Sequence, residues 1–158
     1  MTFDEAVRAH AADLYRFAYW LARDRAQAED IVQEALLRGW RAFGGVKEPA
    51  AVKSWFFSIV RNEFYRARGG TPPFESLDEG LEVADERASL FGLELREAIL
   101  ALPAAYAEPL ALQVLGGFSC AEIAAQLGTS EGAVMTRLTR ARQALRRLVQ
   151  PKRRGEAA

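Results

Sequence analysis

The stretch from Ser119 to Val149, SCAEIAAQLGTSEGAVMTRLTRARQALRRLV, decides the architecture of the C-terminal half. Ser119-Cys120-Ala121-Glu122 has the S-x-x-E spacing of a capping box, in which serine and glutamate satisfy each other's backbone N–H groups at a helix start. It opens a short helix with Ile123, Ala124 and Leu127 on the inner face. Gly128 ends that helix, because glycine tolerates the backbone angles of a helix stop. Thr129-Ser130 then offers a fresh N-cap, and a longer helix is predicted from Glu131 to about Val149, with Val134, Leu138, Ala141, Leu145 and Leu148 as its apolar stripe. A short capped helix, a glycine-containing turn and a second helix make a helix-turn-helix. In that motif the second helix enters the major groove and its first turns face base edges.

The outward side of this second helix has the matching chemistry. Met135, Thr136, Thr139 and Arg140 fall away from the apolar stripe, and Arg137, Arg142, Arg146 and Arg147 follow. Arginine makes paired hydrogen bonds to guanine, and threonine contacts a base or a thymine methyl; arginines farther along suit phosphates. The alternative is an ordinary helical hairpin with a basic solvent face. A lone helix-turn-helix buries little DNA surface, so it needs a partner for useful affinity.

Outward from that stretch, helical periodicity continues toward the N-terminus. Phe3, Val7, Leu14, Phe17, Ala18 and Leu21 recur at three- and four-residue steps, as do Ala28, Ile31, Val32, Ala35, Leu36, Trp40 and Phe43. Gly44-Gly45 closes the second set, a short loop is predicted through Pro49, and a third set (Val52, Trp55, Phe56, Ile59, Val60, Phe64) runs to Gly69-Gly70. Residues 70–88 differ in kind: Pro72-Pro73 breaks any helix, and the acids repel one another, so a linker is predicted there, with a helix resuming near Leu90 and lasting to Pro103. A helix from about Ala104 to Leu115 follows, closed by Gly116-Gly117, with Pro109 bending it or marking its first turn. No stretch alternates as a strand would. The predicted fold is all-α: two small helical domains, residues 1–70 and 98–158, joined by an acidic linker, 71–97, with the helix-turn-helix in the second.

The chain of 158 residues carries 21 Lys+Arg and 21 Asp+Glu, a neutrality that hides strong segregation. Residues 1–70 are net +2, 71–97 net −6, 98–135 net −3, and 136–158 net +7. A basic tail attracts polyanions through counterion release, although a solvated helix face has the same composition. One Cys and one His exclude an internal disulfide and a thiolate–imidazole zinc cluster. No apolar run approaches roughly 18 residues and the N-terminus lacks the basic-then-apolar order of a signal peptide, so no membrane insertion and a cytoplasmic location are expected. Cys120 lacks a His or acid partner for nucleophilic chemistry, His10 reads as a surface or boundary residue, and neither a phosphate-binding glycine loop nor a catalytic carboxylate pair is present. No enzyme activity and no cofactor are expected.

Two further faces stand out in the N-terminal half. On the second helix, Asp30, Gln33, Glu34 and Leu37 share one side, opposite the Ile31/Ala35 stripe. Such an acidic surface suits a basic partner helix, or simply water. On the third helix, Lys53, Phe57, Arg61, Tyr65 and Arg68 fall on one face, with Trp55 near the helix start beside a loop expected over Ala42–Val52. Cations interleaved with rings suit single-stranded nucleic acid, where each stacked base contributes about 1–3 kcal/mol; the alternative is that Phe57 and Tyr65 pack on the first helix.

In this order the pieces resemble the extracytoplasmic-function, or group IV, sigma factors of bacterial RNA polymerase. Ala28-Glu29-Asp30-Ile31-Val32-Gln33-Glu34 is similar to the family's polymerase-binding segment, and Ser54 to Asn62 (SWFFSIVRN) to its W-x-x-x-I-x-R-N stretch. Phe118 with Glu122-Ile123-Ala124 and Leu127-Gly128, then Ser130 to Val134 with Arg137-Leu138 and Arg140-Ala141-Arg142, follow the third and fourth blocks. The resemblance implies that residues 1–70 are a region-2-like domain. It would grip the β′ clamp helices of core polymerase through Asp30, Gln33, Glu34 and Leu37, and would melt and hold the −10 strand with Lys53, Trp55, Phe57, Arg61, Asn62, Tyr65 and Arg68. It implies that the linker threads toward the active-site and RNA-exit channel. It further implies that residues 98–158 are region-4-like, dock on the β flap and read the −35 duplex with Ser130, Met135, Thr136, Arg137, Thr139, Arg140 and Arg142. Met135 stands where many relatives carry a basic residue, and the Gly44-Gly45…Pro49 loop departs from the family's usual run. An anti-sigma partner acting on the two domains is expected. A stand-alone helix-turn-helix regulator, or a module that only sequesters a partner, are the competing functions; the stacking rings argue against the first and the basic recognition helix against the second.

Overall fold

The computed structural model describes residues 2–45, 48–69, 98–99 and 101–157, the side chains of 45 and 150–157 excepted. Among these residues the chain is all-helical: α1 (Phe3–Ala22), α2 (Arg25–Ala42), a 3₁₀ turn (Phe43–Gly45), α3 (Pro49–Arg68), α4 (Ala104–Val114), α5 (Cys120–Leu127) and α6 (Glu131–Ala157). The predicted linker and the helix resuming near Leu90 lie outside the described residues, except that Ala98, Ile99 and Ala101 are helical.

Each helix start follows from a local rule. Thr2 and Glu5 form a capping box on α1, and the Asp24 carboxylate accepts from the Gln27 N–H at 2.9 Å to cap α2. Pro49, expected in a loop, is instead the first residue of α3. Proline suits that position, since its missing N–H would have no intrahelical acceptor and its φ is already helical. Pro109 lies inside α4, past the first turn, and is buried. The predicted turn of the helix-turn-helix is present: Ser119 and Glu122 cap α5 reciprocally, Gly128 ends it at φ +70°, and the Ser130 hydroxyl accepts from the Ala133 N–H at 3.1 Å to open α6.

Helices α1–α3 pack on one another, as do α4–α6. Leu14, Phe17 and Ala18 of α1, Ile31 and Ala35 of α2, and Val52, Phe56 and Val60 of α3 form the first core. Gly39 lets α2 approach α3 closely; a Cβ there would sit 3.1 Å from the Phe56 ring. Tyr106 and Leu112 of α4, Ile123 and Leu127 of α5, and Val134, Leu138, Ala141, Ala144 and Leu148 of α6 form the second. Between α2 and α3 the buried Glu63 carboxylate pairs with Arg38 at 2.5 Å and Arg66 at 3.0 Å.

Phe17→Ala is expected to cost about 3–5 kcal/mol in denaturant unfolding, because the ring has no exposed surface and leaves a cavity. Ser119→Ala should cost only about 1 kcal/mol, the worth of a cap. Burial, then the nearby Lys53, hold the His10 imidazole below its ordinary value of 6.5, against an opposing pull from Asp13. With the folded pKa depressed, its contribution to stability is present above that value and is lost as pH falls through the folded pKa. An NMR titration of this single histidine should show a midpoint below 6.5.

Candidate nucleic-acid interface

The acidic face of α2 is where the helical spacing put it. Asp30, Gln33, Glu34 and Leu37 are all exposed, Leu37 by 50 %, and Glu34 meets Arg38 at 3.8 Å. Trp40, which pattern reading assigned to the apolar set, is 65 % exposed and meets only the edge of its surroundings, with Phe3 at 5.7 Å in a T-shaped contact. Its position one helical step beyond Leu37 extends the outer face with a large apolar group.

The outer face of α6 is also open. Ser130, Met135 (54 %), Thr136, Thr139, Arg140 and Arg142 are exposed. The Thr139 hydroxyl donates to the Met135 carbonyl at 2.9 Å, and Arg142 donates to the Gln113 side chain on α4. Arg137 departs from the expected outward face. It is 6 % exposed, with its guanidinium 5.7 Å from the centre of the Tyr106 ring. The reason is rotational: residues 137, 141, 144 and 148 follow steps of four, three and four, so Arg137 lies on the buried edge of the stripe.

The basic-aromatic stripe of α3 is the largest departure. Phe57 has no exposed surface; its ring stacks obliquely on Phe17 of α1 at 4.9 Å and meets Phe118 edge-on at 5.0 Å. The packing alternative therefore holds for Phe57 in this arrangement, but the packing is shared between α1 and the second domain. Arg61 is 4 % exposed and donates to the Glu108 carboxylate of α4; the Tyr65 hydroxyl donates to the other oxygen of the same carboxylate. Lys53 lies 3.6 Å from Asp13 and over the Phe57 and Phe118 rings. Trp55 is half-buried against Phe56 and Phe43, Asn62 is exposed, and Arg68 is exposed over the Phe64 ring. The stripe is thus one face, as the spacing requires, with its centre covered by α4 and Phe118 and its end open.

Glu108 was not visible as a functional residue from spacing. Its one sequence signal is isolation: it is the sole charged residue in the α4 sequence AAYAEPLALQV. A carboxylate buried at 1 % exposure on an apolar helix must find a cation, and it finds one in the other domain. Removing one partner of such a buried pair costs about 3–5 kcal/mol, because the other charge is stranded. Burial first, then the Glu108 charge, push the Tyr65 phenol far above its ordinary range, so it remains a hydrogen-bond donor. The pairing is also incomplete: Arg61 bonds through Nε, while its buried Nη2 has no hydrogen-bond partner among the described residues.

A largely apolar groove of about 790 Å³ also runs between the two helical units, with Tyr19 and Trp20 of α1 facing Leu110 and Val114 of α4 and the following Leu115, and with Arg16, Arg23 and Arg25 also on its wall. Among the described residues, no group of three or more His, Cys, Asp or Glu is placed to hold a metal, and no helix is long and apolar enough to cross a membrane.

Residues 6–69 match sigma-70 region 2, and residues 92–145 match sigma-70 region 4. The chain is 35 % identical to the ECF RNA polymerase sigma factor SigL of Mycobacterium tuberculosis, over 89 % of this chain and 85 % of that protein. It is 33 % identical to SigM of the same organism, over 93 % and 76 %. Among solved structures, the sigma factor RpoE of Bartonella quintana, in complex with the anti-sigma factor NepR, superposes with a TM-score of 0.72 at 30 % identity, over 94 % of this chain and 96 % of that one. CnrH, solved with the cytosolic domain of CnrY, shares the fold with a TM-score of 0.69 at 24 % identity. A stand-alone helix-turn-helix regulator is not favoured, since both halves have sigma-factor counterparts. The chain belongs to the extracytoplasmic-function sigma factors of bacterial RNA polymerase, initiation factors that bind core polymerase and promoter DNA and are not themselves enzymes.

Proposed function

We propose that this sigma factor divides its work among three surfaces, in a cytoplasmic holoenzyme. The outer face of α2 (Asp30, Gln33, Glu34, Leu37) binds the β′ clamp helices. The α3 stripe, with the connection between α2 and α3, holds the unpaired −10 strand. The outer face of α6 reads the −35 duplex while the C-terminal domain rests on the β flap, and residues 71–97 connect the two along the active-site channel. The observation that carries the α2 and α6 assignments is exposure: these faces present acids and an apolar anchor on one side, and threonines and arginines on the other, each over a closed core. An anti-sigma factor is the regulatory partner. The structural relative RpoE of Bartonella quintana was solved with such a partner, and the groove between α1 and α4 is a largely apolar site large enough for a partner's side chains.

Run-off transcription on genomic fragments with purified core polymerase should give selective initiation only when this chain is added; absence of any selective product would remove the proposal. Asp30→Ala combined with Glu34→Ala should reduce co-purification with core polymerase without lowering the melting temperature, since both side chains are exposed. Arg140→Ala should weaken promoter binding by about 1–3 kcal/mol and relax one base position, if it pairs with guanine; a uniform loss over all sequences would make it a phosphate contact. Arg137→Ala should instead lower thermal stability, because its guanidinium is packed on Tyr106.

A further inference from the structure

The tip of α6 carries two features that its own fold does not call for. Gly132 stands in the first turn of the helix without a positive φ, and a Cβ there would meet nothing within 4 Å. Glycine weakens a helix relative to alanine, and neither packing nor backbone geometry requires it here. A bare helix tip instead suits a surface that approaches closely from outside. Three residues on, Met135 is 54 % exposed, a large apolar side chain on an otherwise polar face.

The groups around Met135 have their hydrogen-bonding capacity partly spent. The Ser130 hydroxyl accepts from the Ala133 N–H, and the Thr139 hydroxyl gives its one proton to the Met135 carbonyl. Arg137 is turned inward over Tyr106. From Ser130 to Thr139 the outer face therefore presents no cation, and the Met135 thioether has no N–H to offer. Such a face cannot make the paired hydrogen bonds by which arginine or lysine selects guanine. The apolar group that a base pair does show in the major groove is the thymine 5-methyl.

We propose that Met135 selects a T·A pair in the −35 duplex by packing on the thymine 5-methyl group, and that the bare Gly132 gives the helix tip the clearance to reach it. This rests on the assignment of the outer face of α6 to the −35 duplex. Thr136 lies beside Met135 on that face and Arg140 follows a turn later, so the reading edge passes from apolar to cationic along the helix.

The test uses holoenzyme assembled from core polymerase and the full chain, with a promoter duplex that this holoenzyme selects from a library randomised over the −35 element. Replacing each thymine of the selected element with deoxyuracil removes only the methyl group. One such replacement should weaken wild-type binding about fourfold, the worth of one buried methyl, and Met135→Leu should keep that loss. Met135→Lys should bind the thymine and uracil duplexes equally, and repeated selection should move that position toward guanine. Gly132→Ala should hold or raise the melting temperature of the free factor while weakening promoter binding about tenfold, as a mismatched pair does. The proposal is overturned if no thymine-to-uracil change affects the wild type, or if the loss survives unchanged in Met135→Lys. A Gly132→Ala variant with wild-type promoter affinity removes the close approach. If variants of Met135, Thr136 and Arg140 all keep the wild-type preference at every −35 position, the α6 assignment itself fails; if only Arg140→Ala shifts a preference, that assignment stands and the methyl contact does not.

Discussion

A carboxylate on an apolar helix is the constraint on which the closed arrangement depends. Glu108 is 1 % exposed, and leaving so buried a carboxylate unpaired costs more than the net stability of a small domain. The charge must be met by Arg61 and Tyr65 across the domain boundary. Once α4 is tied there, Phe118 falls against Phe57 and Lys53, and Tyr19 and Trp20 come to face Leu110 and Val114 across a groove. This ion pair and the Phe57–Phe118 contact join two helical units whose buried apolar residues form one continuous cluster.

Those two units were legible in the sequence because local rules determine them. Periodic apolar residues, the Ser119/Glu122 box, the Gly128 stop and the Ser130 cap each act within a few residues of chain, and the helix-turn-helix follows from them without long-range information. The α2 face was legible for the same reason: it lies opposite a buried stripe. Pro49 was misplaced in a loop because proline both ends and begins helices, and only its position relative to the cap distinguishes the two.

The α3 stripe marks where sequence reading stops. Periodicity shows that Lys53, Phe57, Arg61 and Tyr65 share a face, but a face prepared for nucleic acid and a face covered by another domain use the same residues. The width of the apolar arc carried some of the answer. Val52, Phe56, Val60 and Phe64 already fill the side toward α1 and α2, so Phe57 and Arg61 required a second covering surface. Arg137 is a smaller case of the same ambiguity. Its charge suggested DNA, while its step of four to Ala141 placed it on the inner edge, and geometry prevailed because the guanidinium packs over an aromatic face.

The closed arrangement covers the three surfaces unequally, and the inequality has a direction. The α2 face and the outer side of α6 are open, while the middle of the α3 stripe is covered. On the proposed assignments, contact with polymerase and with duplex DNA needs no rearrangement, whereas holding an unpaired strand does. A carboxylate and a phosphate cannot both occupy Arg61, and two rings cannot both cover the same side of Phe57.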